Sequence, residues 1–338
     1  MIYLIAGFLA FLIALALYPL SKTWGKRFNI LDHPAKRKVH KSAIPRTGGI
    51  VFFVAFWSVV LIFHYFIPNI FPALLAFKIF LGSVIIFALG FLDDKYGLSP
   101  YIRLIAQVTV ALLVAYLGIR IDTINIPFYA MIHLEGFWSY SLTILWIVML
   151  INIVNWLDGL DGLASGVSII AFLAIIYTAF LPWVSALNAA LFASVAVGLL
   201  LAFMPYNFLK GNLFMGDSGS NFLGYILAIT SMLGAAKLAT SFLVLGLPIL
   251  DGAWVILYRL RQKQNIFMAD KNHFHHRLLR IGLDKKQAVI VFWLFSLVFG
   301  LLVITASTQL KLYGLVALVI ICLGFFIFLD IKEKKTNC

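Results

Sequence analysis

Asn152, Asn155, Asp158 and Asp161 recur at every third position in Asn152-Ile-Val-Asn155-Trp-Leu-Asp158-Gly-Leu-Asp161-Gly162. If a helix runs through the motif, successive members are neighbours on a slowly drifting stripe, so two carboxylates and two amides share one flank. Residues 152–162 contain no Lys or Arg, so these acids need a cation from elsewhere. A hard divalent ion suits carboxylate and amide oxygens, and Mg²⁺ typically keeps several waters and bridges to substrate phosphates. A solvated turn is the plainer alternative.

Four more clusters carry residues that could do chemistry. Asp93-Asp94-Lys95 closes an apolar run. Paired acids there are costly without a cation, a metal or water, and at a helix C-terminus they oppose the dipole. Phe214-Met-Gly216-Asp217-Ser218-Gly219-Ser220 follows Asn207 by a few residues; Asp217 could be a metal ligand or a simple helix N-cap. His273-Phe-His275-His276-Arg277 follows Asp270 in a basic stretch. It lacks the cysteines and spacing of a zinc finger. On a helix His273, His276 and Arg277 share a face that can grip phosphate oxygens. Finally, Asp32 to His40 and Ile44-Pro45-Arg46-Thr-Gly48-Gly49 bring Lys36, Arg37, Lys38, Lys41 and Arg46 together. They read as a membrane-surface anchor or as a phosphate grip, with bare amides at Gly48-Gly49 opening a helix.

The elements that must position these residues are membrane helices. Of 338 residues, 63% are apolar and 12% charged, against roughly 45–50% and about 25% in soluble domains. Mean hydropathy is +1.03. Two cysteines, Cys322 and Cys338, form no disulfide framework. Eleven apolar segments are legible, at 2–21, 48–67, 74–92, 102–118, 140–156, 163–181, 187–205, 220–236, 239–258, 288–308 and 311–329. The first carries no small-residue cleavage pattern and reads as a retained span. Continuous apolar runs without alternation predict helices, the only alternative to closed barrels in lipid. The chain therefore reads as a single all-α polytopic domain, residues 1–338, with about 11 transmembrane helices.

Orientation follows from the cations. With eleven spans, 22 of the 26 Lys and Arg fall on one face, in 21–47, 93–103, 206–219, 259–287 and 330–338. The loop 152–162 lies on the same face. By the positive-inside rule that face is cytoplasmic, which puts the N-terminus outside, the C-terminus inside and the chemistry at the inner surface. Asp251, inside the ninth segment, has no evident role.

Carboxylates opposed by His, Arg and Lys at one membrane face are the parts of phosphoryl transfer, which needs positioning and charge neutralisation more than covalent help. One substrate would be a lipid and the other a nucleotide-activated compound. No GxxxxGK[ST] loop is present, which argues against ATP hydrolysis. The net charge of +13 suits anionic lipid or substrate; no soluble basic domain exists to hold nucleic acid. A transporter would carry its polar groups at mid-membrane, and a lipid-binding scaffold would explain the cations but not the acids.

The segments DHPAKRKVH…IPRTGG, GFLDDK, NIVNWLDGLDGLASG, FMGDSGSNFLG and DKNHFHHRLL resemble the polyprenyl-phosphate N-acetylhexosamine-1-phosphate transferase family. The likeness is greatest to the branch that moves GlcNAc-1-phosphate from UDP-GlcNAc to undecaprenyl phosphate. A related branch using UDP-MurNAc-pentapeptide has three consecutive histidines, whereas Phe274 interrupts the run here. The resemblance implies eleven spans, Mg²⁺ (or Mn²⁺ in its place), release of UMP and a cytoplasmic membrane enzyme, and it is compatible with a homodimer. It implies that Asp217 is the principal Mg²⁺ ligand, with Asp161 as the second and Asp158 close by. Asp93 and Asp94 would stand near the lipid phosphate. Asn207 would line the nucleotide pocket. His273, His275, His276 and Arg277 would close over pyrophosphate and sugar, His276 in a catalytic role. Lys38, His40, Arg46, Asn152 and Asn155 complete the expected substrate contacts. Another UDP-N-acetylhexosamine would fit the same motifs.

Overall fold

A computed structural model describes the chain except residues 34–42, 69–71, 126–130, 183, 234–236, 266–272, 306–307 and 337–338. The order of helices is α1 (Ile2–Arg27), α2 (Gly48–Phe66), α3 (Ala73–Tyr96), α4 (Pro100–Tyr116), α5 (Gly136–Leu157) and α6 (Leu163–Ala179). There follow α7 (Leu187–Met204), α8 (Gly216–Met232), α9 (Lys237–Val244), α10 (Gly246–Arg261), α11 (Phe274–Arg280), α12 (Lys285–Thr305) and α13 (Thr308–Thr336). Two small antiparallel pairs join them: β1 (Leu31–Asp32) with β2 (Ile44–Pro45), and β3 (Thr123–Asn125) with β4 (Met131–His133).

Each of the eleven apolar segments holds a helix. The ninth is divided between α9 and α10, where Pro248, which lacks an N–H, falls in the first turn of the second helix and fits there. Among the described residues seven helices are long and apolar enough to cross a bilayer, while α4 and α6 are apolar but shorter. The outward surfaces stay apolar, as at Phe8, Leu61, Phe77, Ile105, Val298 and Ile320. The protein is an all-α, multi-pass membrane protein.

Packing follows residue size. Helix α1 buries Ala6, Ala10, Ala14 and Tyr18 at four-residue spacing, a small-residue stripe that lets two backbones approach. It lies along α7, where the Tyr18 hydroxyl donates to the Leu199 carbonyl at 3.2 Å. Helix α8 sits at the centre against α2, α3 and α5. Every residue from Gly216 to Ser231 is buried except Asp217. An all-round buried helix thus presents one carboxylate, at its first turn.

Candidate active site

The start of α8 is held by three other elements. Gly48 and Gly49 donate to the carbonyls of Phe214 and Met215 at 3.0 and 2.9 Å. Those amides are therefore spent on the chain leading into α8, and the expected phosphate grip at Gly48-Gly49 is not formed. A side chain at Gly49 would meet the Gly219 nitrogen at 2.3 Å, so the α2–α8 crossing needs glycine there. From α3, Asp94 accepts hydrogen bonds from the Asp217 and Ser218 backbone N–H groups and the Ser218 hydroxyl, at 2.8, 2.9 and 2.8 Å. Asp94 is in effect the N-cap of α8, supplied by another helix. Gly216, at φ +72°, makes this possible, because a Cβ there would stand 2.6 Å from the Asp94 carboxylate.

That arrangement fills the capping position of α8 from another helix. Asp217 lies in the first turn of α8 and is not its N-cap residue, which is Met215. Its Oδ1 instead accepts from Asn155 Nδ2 at 2.6 Å, and the same amide reaches the Ser220 hydroxyl at 2.9 Å. Asp217 faces a cavity of about 1370 Å³.

The stripe expected from Asn152 to Asp161 is only half helical. Helix α5 ends at Leu157, with Asp158 as its C-cap and Asp161 in the following turn. Gly162, at φ +86°, then starts α6. All four polar residues nonetheless line the cavity. Asn152 Nδ2 donates to Gln107 Oε1 of α4 at 2.7 Å and to the Val148 carbonyl. Burial, and then the charges of Asp217, Asp94 and Asp161, push the Asp158 pKa well above the ordinary carboxylate range. This end of the cavity is short of positive charge.

Arg46 is the local cation. It pairs with the buried Asp32 of β1 and lies 3.8 Å from Asp94. Burial opposes its charge, but Asp32, Asp94 and Asp217 outweigh it and hold the guanidinium protonated. Asp93 faces the other way. Its Oδ2 pairs with Arg103 of α4 at 2.9 Å and its Oδ1 accepts from the Leu98 N–H at 2.7 Å. The paired acids therefore divide: Asp94 steadies α8 and Asp93 steadies Arg103, and Arg103 rather than either acid lines the cavity.

The histidines come from the opposite wall. His273 is the N-cap residue of α11, and its Nδ1 lies 3.0 Å from Asp251 Oδ2. His273, His275 and His276 line the cavity. His275 is 2% exposed, and its Nε2 is buried without a hydrogen-bond partner among the described residues. Burial and the neighbouring His276 and His273 push its pKa well below the ordinary imidazole value, so it is neutral. Arg277 is placed differently from expectation. It is buried, its Nη2 points to the Phe326 carbonyl of α13 at 3.4 Å, and it does not line the cavity. The two residues differ because α11 turns His276 inward and Arg277 toward α13. Asn207 is likewise a support: its Oδ1 accepts from the Gly162 N–H at 2.7 Å and its Nδ2 donates to the Leu213 carbonyl at 3.1 Å. It pins the Asp161–Gly162 turn and does not line the cavity. Lys38, His40 and Asp270 lie outside the described residues.

Several cavity residues carry little signal in the sequence. Arg259, Arg280 and Lys285 line it, but in the sequence they merge with the general positive-inside excess. Gln107 and Asn221 also line it. Gln107 is an uncharged polar residue within an apolar helix, which is a functional hint by itself. Asn221 lies one turn beyond Asp217, and its Nδ2 is buried without a partner among the described residues. Away from the charges, the cavity runs into an apolar arm made by Leu104 of α4, Leu145, Val148 and Met149 of α5, and Ile249, Ala253 and Ile256 of α10.

Comparison with known proteins places the sequence in a family. Residues 76–235 match the model of glycosyl transferase family 4. The chain is 36% identical over 330 residues to a probable undecaprenyl-phosphate N-acetylglucosaminyl 1-phosphate transferase of Bacillus subtilis, covering 95% of this chain and 90% of that protein. The chain belongs to the polyprenyl-phosphate N-acetylhexosamine-1-phosphate transferase family. Other relatives include the decaprenyl-phosphate N-acetylglucosaminephosphotransferase of Mycobacterium tuberculosis, 29% identical over 79% of this chain and 73% of that one. The undecaprenyl-phosphate alpha-N-acetylglucosaminyl 1-phosphate transferase of Escherichia coli is 26% identical, covering 90% and 83%. The matched family region carries Asp93, Asp94, Asp158, Asp161 and Asp217. The histidine wall falls beyond it but within the span of the Bacillus subtilis relative.

Whether these residues suit Mg²⁺ can be tested on the donor set. Among the described residues no three acidic, His or Cys side chains converge on one point as a complete protein cage. Mg²⁺ asks for less: one or two carboxylates, several waters and substrate phosphates. Asp217 and Asp161 on one cavity wall, with Asp158 electrostatically strained beside them, fit such a shared ion.

Proposed function

We propose that this protein transfers GlcNAc-1-phosphate from UDP-GlcNAc to undecaprenyl phosphate and releases UMP, as a Mg²⁺-dependent enzyme of the cytoplasmic membrane. The observation that carries the reading is one cavity that joins an acid wall, a cationic and imidazole wall, and an apolar arm. Its volume of about 1370 Å³ exceeds the roughly 300–1,000 Å³ of a pocket for one small ligand, which suits two substrates meeting end to end. Eleven spans with the N-terminus outside put this cavity at the cytoplasmic surface, where a nucleotide sugar is available. Manganese in place of magnesium and a homodimeric assembly are compatible with the same site.

The reaction is direct displacement. A lipid phosphate oxygen attacks the β-phosphorus of UDP-GlcNAc. A bond forms from that oxygen to phosphorus, and the bond from the β-phosphorus to the bridging oxygen breaks, leaving that oxygen on UMP. A phosphate monoester has a second pKa near 6, so it is largely ionised and needs orientation more than a strong base. Arg103, steadied by Asp93 at the mouth of the apolar arm, receives the lipid phosphate. Asp217 and Asp161 are the residues that would hold Mg²⁺, which when bound neutralises charge developing on the pyrophosphate. Asn155 fixes the Asp217 carboxylate, and Asp94 fixes the helix that carries it. Arg280, Lys285 and the imidazoles face the nucleotide's phosphates.

Purified protein incubated with undecaprenyl phosphate, Mg²⁺ and a panel of UDP-sugars tests the reading. UMP release specific to UDP-GlcNAc and dependent on both lipid and metal is expected. Release with a different UDP-sugar alone would reassign the donor. Exchange of labelled UMP into UDP-GlcNAc without lipid would replace direct displacement by an aspartyl-linked intermediate.

A further inference from the structure

Asp251 takes no part in the acid wall. It lies in the second turn of α10 and is 5% exposed. Both its oxygens are engaged by the residues that open α11. Oδ2 is 3.0 Å from His273 Nδ1, and Oδ1 accepts from the Phe274 backbone N–H at 2.7 Å. A carboxylate this deep in an apolar helix bundle is costly unless paired. Among the described residues its ion-pair partner is that imidazole. The His273 ring has Trp156 5.5 Å away and a nearly parallel His275 ring at 5.8 Å, so its orientation is fixed on three sides.

We infer that Asp251 is the positioning residue for His273: it holds Nδ1 as the hydrogen-bond donor and leaves Nε2 as the atom that meets a phosphate oxygen in the cavity. The inference rests on the reaction proposed above and names a contributor to it. The physical argument is one of tautomers. A carboxylate only accepts, so Nδ1 must carry the proton. An imidazolium in this place donates from both nitrogens, Nδ1 to Asp251 and Nε2 to an anionic oxygen. Second-shell carboxylates orient histidines in this way at many sites.

Asparagine separates the two jobs of Asp251. Its oxygen still accepts from Phe274, because Asn caps a helix about as well as Asp. Its amide group, however, offers a donor to Nδ1, which moves the ring proton to Nε2 and removes the countercharge. The same exchange in a Ser-His-Asp triad leaves the geometry and loses the rate.

The test compares wild type, Asp251→Asn, His273→Asn and the double variant in steady-state UMP release with undecaprenyl phosphate and UDP-GlcNAc, with melting temperatures alongside. Asp251→Asn is expected to lower kcat by about 10²-fold, the lower end for losing one donor to the charge that develops in the transition state, with KM for UDP-GlcNAc and the melting temperature little changed. The double variant should be no slower than His273→Asn, since residues that act as one unit are non-additive. Wild-type kcat in Asp251→Asn overturns the inference. So does an equal rate loss from Asp251→Asn in the His273→Asn background, because Asp251 would then act independently of the imidazole. A wild-type protein that releases no UMP refutes the proposed reaction instead. The pair is then read from the ¹⁵N chemical shifts of the His273 ring: a proton that moves from Nδ1 to Nε2 in Asp251→Asn supports the inference, and an unchanged tautomer overturns it.

Discussion

The two walls of the cavity are built by one device set against different surroundings. On the acid wall, Asp94 of α3 caps the start of α8; on the histidine wall, Asp251 of α10 caps the start of α11. The helix that carries Asp217 and the helix that His273 opens are therefore each anchored by a carboxylate from a different helix. Asp94 is surrounded by further acids, Asp217 and Asp158, with Arg46 as partial relief. Asp251 faces an imidazole that can take up a positive charge. The cap fixes position in both cases, while the neighbours decide whether the wall is short of cations or able to supply one. Capping from outside also frees Asp217: were it the cap of its own helix, its oxygens would point at backbone rather than into the cavity.

The most damaging change should be Asp217→Asn. It keeps the shape and the Asn155 contact but removes the charge that meets the metal. Turnover should fall by more than about 100-fold, as when a single transition-state partner is lost, with the melting temperature unchanged. Full turnover at saturating Mg²⁺ would take Asp217 out of the metal site. Asp94→Ala should differ in kind, losing stability together with turnover. It strands two backbone N–H groups and a hydroxyl, each worth roughly 1–3 kcal/mol when buried without a partner. A variant that melts like wild type would show that the cap holds nothing.

The histidine wall should reveal itself through pH. His275 is neutral in the folded protein because its pKa lies well below the ordinary value of 6.5. The unfolded chain binds the extra proton first, so this residue leaves stability unaffected above about pH 6.5 and lowers it as pH falls below that value. His275→Phe should flatten that acid-side loss in a melting series; an unaltered slope would place the titration elsewhere. A smaller effect is expected at Arg277. Arg277→Ala should lower the melting temperature while leaving UDP-GlcNAc affinity intact by calorimetry, since the guanidinium faces α13. A large loss of affinity would restore the sequence expectation that it grips the nucleotide. Arg120→Gln, at the exposed pair with Asp122 on the far end of the bundle, should leave turnover unchanged and so serves as the control for both walls.

Much of the site was legible because its chemistry is local in sequence. Asp158, Asp161 and Asp217 stand in short polar motifs between long apolar runs, and a charge in such a place needs a reason. What misled was helical extrapolation. The three-residue spacing from Asn152 suggested one continuous stripe, but α5 ends at Leu157 with Asp158 as its C-cap, and Asp161 sits in the turn before Gly162 opens α6. The face shared by His273, His276 and Arg277 failed similarly, because α11 begins after His273 and its neighbour α13 takes Arg277.

Sequence alone determined that the chain is a helical membrane protein with its acids and histidines gathered between spans, because hydropathy and charge are summed over neighbouring residues. Only the tertiary structure decided which of those groups face a ligand. Asp94, Asp217, Asn207 and Arg277 are all polar residues at helix ends, and nothing in their local surroundings distinguishes a cap from a ligand. The distinction depends on contacts such as Asp94 with Ser218, 124 positions apart, and a pairing that distant is set by how helices cross.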